Sequence, residues 1–242
     1  MKKLSISVFL FALLMPARAL SVECVVLLHG LARTSNSMMP MQNSLYDAGY
    51  AVLNISYPSR QKTIEELSVL AMEEGIAGCA AIQASPVSFV THSLGGILLR
   101  YYFSSHSPEL RVDFEMDRSV MLGPPNNGSE VVDSFRKVPG FKLINGPAGV
   151  QLGTADEDIP NTLGAVDFEL GVIAGTKTFN PFLSLFLPKP NDGKVSLESA
   201  KVEGMADFIA LPVNHSFMMR NDEVIRQVIN FLAEGNFQHQ GE

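Results

Sequence analysis

Six residues constrain this chain more than any others: Thr91-His92-Ser93-Leu94-Gly95-Gly96. Before them, Pro86-Val87-Ser88-Phe89-Val90 reads as a buried strand, because β-branched and aromatic side chains run together over strand length. After them, Ile97-Leu98-Leu99-Arg100-Tyr101-Tyr102 reads as a helix. A serine at such a junction, followed by small residues, sits on a sharp strand-to-helix turn with its hydroxyl presented outward. The chain must therefore place a helix directly behind a buried strand, and the serine between them is a candidate nucleophile.

The rest of the chain alternates in the same way. Strands are expected at Glu23 to Leu28, Tyr50 to Ile55, Asp117 to Leu122, Phe168 to Ala174 and Asp207 to Val213, which with the strand before Ser93 makes six. A helix is expected over Ser37 to Ala48, and another opens at Thr63, where Glu66 three residues on completes a capping box. Ile64, Leu67 and Leu70 recur on one face of that helix, which should end near Gly75 to Gly78. A closing helix starts at about Asn221, an N-cap residue, with Val224, Ile225, Val228, Ile229 and Leu232 as its apolar face. Strands separated by helices require βαβ crossovers, hence a mostly parallel sheet covered on both faces. Two stretches break the alternation. Gly140 to Ala165 is rich in Gly, Asn, Pro and Asp and reads as a functional or mobile insert, and Phe179 to Pro188 is strongly apolar.

With 242 residues, 46% of them hydrophobic and 18% charged, the chain has the makings of one globular domain. Residues 1–19 are set apart: Lys2-Lys3 precede an apolar run from Leu4 to Met15, and Ala17-Arg18-Ala19 supplies a cleavage signal. This is the pattern of a cleavable signal peptide, with export to the periplasm or beyond and a mature chain from Leu20. The run falls short of the ~20 residues a membrane-spanning helix needs. A net charge of −7, more negative still once Lys2, Lys3 and Arg18 are removed, argues against nucleic acid as a partner. Cys24 and Cys79 would meet an oxidising compartment. They form a disulfide if their Cα atoms come within about 7 Å, or else are two buried thiols. No Cys/His cluster has zinc spacing, so no metal is expected.

A serine hydroxyl needs a base to take its proton, and the base needs a third group to orient it. Of five histidines, His92 adjoins Ser93 on the strand and should point away from it. His29 lies in a strand-to-loop turn, His106 falls past the helix after Ser93, and His239 lies in a polar tail. His215 remains, between the apolar strand Phe208-Ile209-Ala210-Leu211 and the last helix, where an open parallel sheet presents its reactive loops. For the orienting acid, Asp192 in the turn Pro190-Asn191-Asp192-Gly193 is preferred over Asp156, Glu157 and Asp158 in the insert and over Asp207 at a strand start. The order Ser93, Asp192, His215 results. An oxyanion would be met by the backbone N–H of Leu94 and by that of Leu31, in the loop Leu28-His29-Gly30-Leu31-Ala32-Arg33-Thr34.

At this point the chain resembles serine esterases and lipases of the α/β-hydrolase superfamily, in particular the small triacylglycerol-lipase-like branch. The matching segments are Leu28-His29-Gly30, the Ser93 motif, Leu122-Gly123-Pro124-Pro125-Asn126-Asn127-Gly128-Ser129, Asn191-Asp192-Gly193 and Asn214-His215-Ser216. The resemblance implies a three-layer α/β/α sandwich and hydrolysis of carboxylic esters through an acyl-enzyme on Ser93. It implies Asp192 and His215 as partners, Leu31 and Leu94 as backbone donors, and no cofactor. The expected partner is a small-molecule or lipid ester, with transient membrane-surface contact as a further expectation; the apolar Phe179 to Leu187 stretch would line an acyl pocket, contact lipid, or pack into the core. An acyltransferase or thioesterase on the same triad, or a non-catalytic envelope binding module, would use the same fold. Two departures stand out. Thr91 occupies the first glycine position of the G-x-S-x-G pattern, and Lys194 follows Asp192-Gly193 where an apolar residue is usual.

Overall fold

The structure, a computed structural model, describes residues 22–106, 114–178 and 181–239; the expected signal peptide lies outside them, as do Phe179 and Asn180 of the apolar stretch. Six strands form one sheet: β1 (Cys24–Leu28), β2 (Ala51–Ile55), β3 (Val87–His92), β4 (Met116–Leu122), β5 (Leu170–Gly175) and β6 (Asp207–Leu211). Their order is β2-β1-β3-β4-β5-β6, and every neighbouring pair is parallel. Parallel neighbours put all the strand C-termini along one edge, so the loops that leave them are brought together however far apart they lie in sequence.

The helices are α1 (Met39–Asp47), α2 (Ile64–Ala81), α3 (Leu94–Ser105), α4 (Glu130–Phe135), α5 (Phe141–Val150), α6 (Ile159–Thr162), α7 (Pro181–Ser184), α8 (Leu197–Ala200) and α9 (Asp222–Glu234). Strand alternation sorts the core into two layers. Cys24, Val26 and Leu28 of β1 pack with Leu67, Met72, Ile97 and Leu98 from α2 and α3. Val25 and Leu27 face the other way, toward Met41 and Leu45 of α1 and Val228 and Phe231 of α9. Because both faces are covered, every residue of β1 is buried, which is why that strand reads as a continuous apolar run.

The capping box of α2 forms as its sequence predicts, with Thr63 and Glu66 exchanging side-chain and backbone hydrogen bonds. Asn221 likewise caps α9, accepting from the Val224 N–H at 3.1 Å. Two expectations for α2 are corrected. The helix does not end at its glycines but runs to Ala81. A Cβ on Gly75 would fall 2.6 Å from Val26 Cγ1, and one on Gly78 2.5 Å from Leu53 Cδ1, so these glycines let the helix lie close on the sheet instead of stopping it. Leu70 is exposed, and Ala71 takes its place on the buried face. Cys24 and Cys79 are joined in a disulfide, Cα to Cα 5.9 Å, tying β1 to the end of α2. The 140–165 stretch is less irregular than its composition suggests. It carries α5, which breaks at Gly146 before Pro147, and the single turn α6.

Candidate active site

Four strands deliver the site. Ser93 follows β3 directly, the loop containing Leu31 leaves β1, Asp192 lies in the connection after β5, and His215 opens a 3-10 turn after β6. His215 Nε2 lies 3.0 Å from Ser93 Oγ, and His215 Nδ1 lies 2.7 Å from Asp192 Oδ2. The three residues separated by up to 122 positions thus form one continuous hydrogen-bonded line. Carboxylate oxygen can only accept, so Nδ1 carries the imidazole proton and Nε2 is left as the acceptor for the serine hydroxyl.

Ser93 is held at a positive φ, φ 53° and ψ −118°, which a non-glycine residue adopts only when its surroundings impose it. Here its N–H donates to Leu122 O at the end of β4 and its carbonyl accepts from the Gly96 N–H in the first turn of α3. Thr91 causes no difficulty. It remains in the extended strand, paired with Leu28 on one side and Met121 on the other, and the strain of the turn falls two residues later, on Ser93. The Thr91 hydroxyl is buried and has no hydrogen-bond partner among the described residues.

The acid is fixed by its own turn. Asp192 Oδ1 accepts from the backbone N–H groups of Lys194 and Val195 at 2.9 and 2.8 Å, leaving Oδ2 for His215. The backbone adds a further link, the His215 N–H donating to Asp192 O at 3.1 Å. Room for the pair is made by Gly123 (φ +55°), where a Cβ would come 3.0 Å from Asp192 Oδ2 and 3.1 Å from His215 Nδ1. The other acids considered from the sequence lie elsewhere. Asp158 pairs with Arg136, and Asp207 accepts from the Phe237 N–H and pairs with His239.

The candidate oxyanion loop, which carries Leu31, comes equally close. A Cβ on Gly30 would be 3.2 Å from Ser93 Cβ, and Leu31 lines the same cavity as Ser93 and His215. The Leu31 N–H makes no hydrogen bond among the described residues, and the Leu94 N–H, first in α3, has no acceptor within the helix. A brace behind this loop escapes sequence reading. The His29 ring stacks on Tyr57 at 3.9 Å, the Tyr57 hydroxyl donates to His29 O, and the Tyr57 N–H donates to His29 Nε2. Burial pushes the Tyr57 phenol well above its usual range, keeping it a donor.

His92 does not reach Ser93, as expected from strand alternation, but it is not idle. Its Nε2 donates to the His215 carbonyl at 3.0 Å, and the two rings lie 4.8 Å apart. Burial, reinforced by the neighbouring His215 and Arg33, holds His92 well below the usual imidazole range. His106, by contrast, is bound to Tyr102 O, far from the site.

Ser93 opens into a cavity of about 540 Å³, within the range of small-molecule sites. Its wall is mainly apolar: Val131, Val132, Phe135, Phe141, Ile144 and Leu152 contribute. Of the apolar stretch, Phe182 lines the cavity while Leu185 is largely exposed and Leu187 buried. Among the described residues no group of three or more His, Cys, Asp or Glu side chains could hold a metal ion.

The fold recurs in solved structures. No protein-family model and no curated protein sequence matches the chain. Solved structures do. The mature form of Bacillus licheniformis lipase BlEst2 superposes with a TM-score of 0.69 at 16% identity, over 88% of this chain and 92% of that one. Phospholipase PlaB from Legionella pneumophila gives a TM-score of 0.72 at 13% identity, covering 89% of this chain and 60% of PlaB. Aspergillus fumigatus lipase B gives 0.66 at 17%, covering 88% and 53%. The chain thus has the α/β-hydrolase fold of the lipase and esterase type, and spans little more than half the length of the latter two. At these identities the likeness establishes the fold alone.

Proposed function

We propose that the protein is a serine hydrolase of carboxylic esters. The observation that carries this reading is the line Asp192–His215–Ser93, with bonds of 2.7 and 3.0 Å, at the head of an apolar cavity. In the reaction Ser93 Oγ attacks the ester carbonyl as its proton passes to His215 Nε2, and Asp192 stabilises the imidazolium. The oxyanion is met by the N–H groups of Leu31 and Leu94, and one such donor is worth about 3 kcal/mol of barrier. His215 then returns the proton to the leaving alcohol, giving an acyl-enzyme on Ser93. A water molecule, deprotonated by the same histidine, releases the acid.

Export is part of the proposal. It is supported by the residues 1–19 pattern and by the Cys24–Cys79 disulfide, a bond favoured outside the reducing cytosol. Contact with a lipid surface is supported by exposed apolar side chains on segments that line the cavity: Leu143, between Phe141 and Ile144, Phe182, and Leu185 three residues after it. The test is labelling with a fluorophosphonate probe: wild type should label and Ser93→Ala should not. Absence of label on folded wild-type protein rejects the proposal. p-Nitrophenyl esters of rising chain length then define the acyl preference.

A further inference from the structure

The charged groups of the cavity are unusual for this chain. Acids outnumber bases over the whole sequence, 25 to 18, yet the described residues that line the cavity include Arg33 and Lys194 and no Asp or Glu. Neither cation forms an ion pair among the described residues. The nearest acid to influence Lys194 is Asp192, and its two oxygens are already engaged by His215 and by two backbone N–H groups. Lys194 is exposed to solvent at the wall of the cavity. Burial and the Arg33 guanidinium push its ammonium below the usual lysine range.

Both cations line the cavity, near enough for the Arg33 guanidinium to act on the Lys194 ammonium. Arg33 Nη2 donates to Ser216 O at 3.0 Å, one residue past His215. Lys194 is two residues past Asp192, and the Ser129 hydroxyl holds its carbonyl at 2.9 Å. The acyl half of an ester has the uncharged wall of Val131, Phe135, Phe141 and Leu152. The leaving alcohol must lie toward His215, which protonates it. Resting on the hydrolase reading, we propose that the natural substrate is an ester whose alcohol carries an anionic group, phosphate or carboxylate, bound by Arg33 and Lys194. An anion there gains charge-assisted hydrogen bonds from both side chains and relieves their mutual repulsion.

The experiment compares three esters of one acyl group: butyryl glycerol, which is neutral, butyryl glycerol 3-phosphate, and the butyryl ester of glyceric acid. The wild-type protein should favour at least one anionic ester over the neutral one in kcat/KM by roughly tenfold or more at low salt, and the preference should shrink as NaCl is added. Which anionic ester leads assigns phosphate or carboxylate. Lys194→Met and Arg33→Met should each bring the ratio of anionic to neutral toward one, and Lys194→Arg should retain it. Salt dependence in the wild type gives the answer even where a variant fails to fold. A wild-type ratio near one, or a ratio unchanged in both Met variants, overturns the inference while leaving the hydrolase reading in place. Absence of both fluorophosphonate label and hydrolysis of the neutral ester overturns the hydrolase reading, and this inference with it.

Discussion

His92 and His215 are joined by a hydrogen bond from the side chain of one to the backbone carbonyl of the other, 3.0 Å long, with their rings 4.8 Å apart. The residue before the candidate nucleophile therefore holds the candidate base in place from behind, without touching Ser93. His92→Leu should lower kcat on a p-nitrophenyl ester by about tenfold with little change in KM, because the base loses its support while the cavity keeps its wall. Losing a buried hydrogen bond should also cost about 1–3 kcal/mol of stability. Steady-state kinetics set beside urea unfolding separates the two effects, and an unchanged kcat would show that His92 only fills space.

The same residue makes stability depend on pH. Burial lowers the pKa of both His92 and His29 below the ordinary 6.5, so below that pH the unfolded chain binds protons that the folded chain refuses. The stability they contribute is complete above about pH 6.5 and is lost as the pH falls. For His92, held well below the usual range, the slope approaches about 1.4 kcal/mol per pH unit. Urea unfolding between pH 7.5 and 5.5 should reveal this loss, and His92→Gln should flatten it. Glu23 and Asp117, raised by burial, act in the opposite sense, mainly at lower pH where carboxylates titrate.

Cys24 and Cys79 close a loop across 55 positions of sequence. Chain entropy for such a loop corresponds to about 4 kcal/mol. The double substitution to alanine should lower unfolding free energy by roughly that amount, and dithiothreitol should destabilise the wild type but leave the variant unaffected.

Gly123→Ala should cripple activity without touching any reacting atom. The residue has φ +55°, and its Cβ would press between Asp192 Oδ2 and His215 Nδ1. A displacement of the pair by even 1 Å can reduce kcat by about 10²-fold. Fluorophosphonate labelling would slow in parallel, whereas normal labelling would mean that the loop yields.

The sequence by itself determined the alternation of strands and helices, the Ser93 junction, both helix caps, and the order of Ser93, Asp192 and His215. Each of these is written locally, in side-chain period, in turn chemistry, or in the succession of elements along the chain. Only the tertiary structure decided what each residue meets. Strand alternation directs His92 away from Ser93, but only the position of the loop after β6 puts the His215 carbonyl within its reach. Gly75 and Gly78 look like helix terminators until α2 is seen resting on Val26 and Leu53. The pairing of Cys24 with Cys79, the Tyr57 brace on His29 and the convergence of Arg33 with Lys194 in one cavity likewise have no local signature. The brace and the convergence arise because a parallel sheet gathers its C-terminal loops at one edge, and the disulfide because the end of α2 returns to the start of β1.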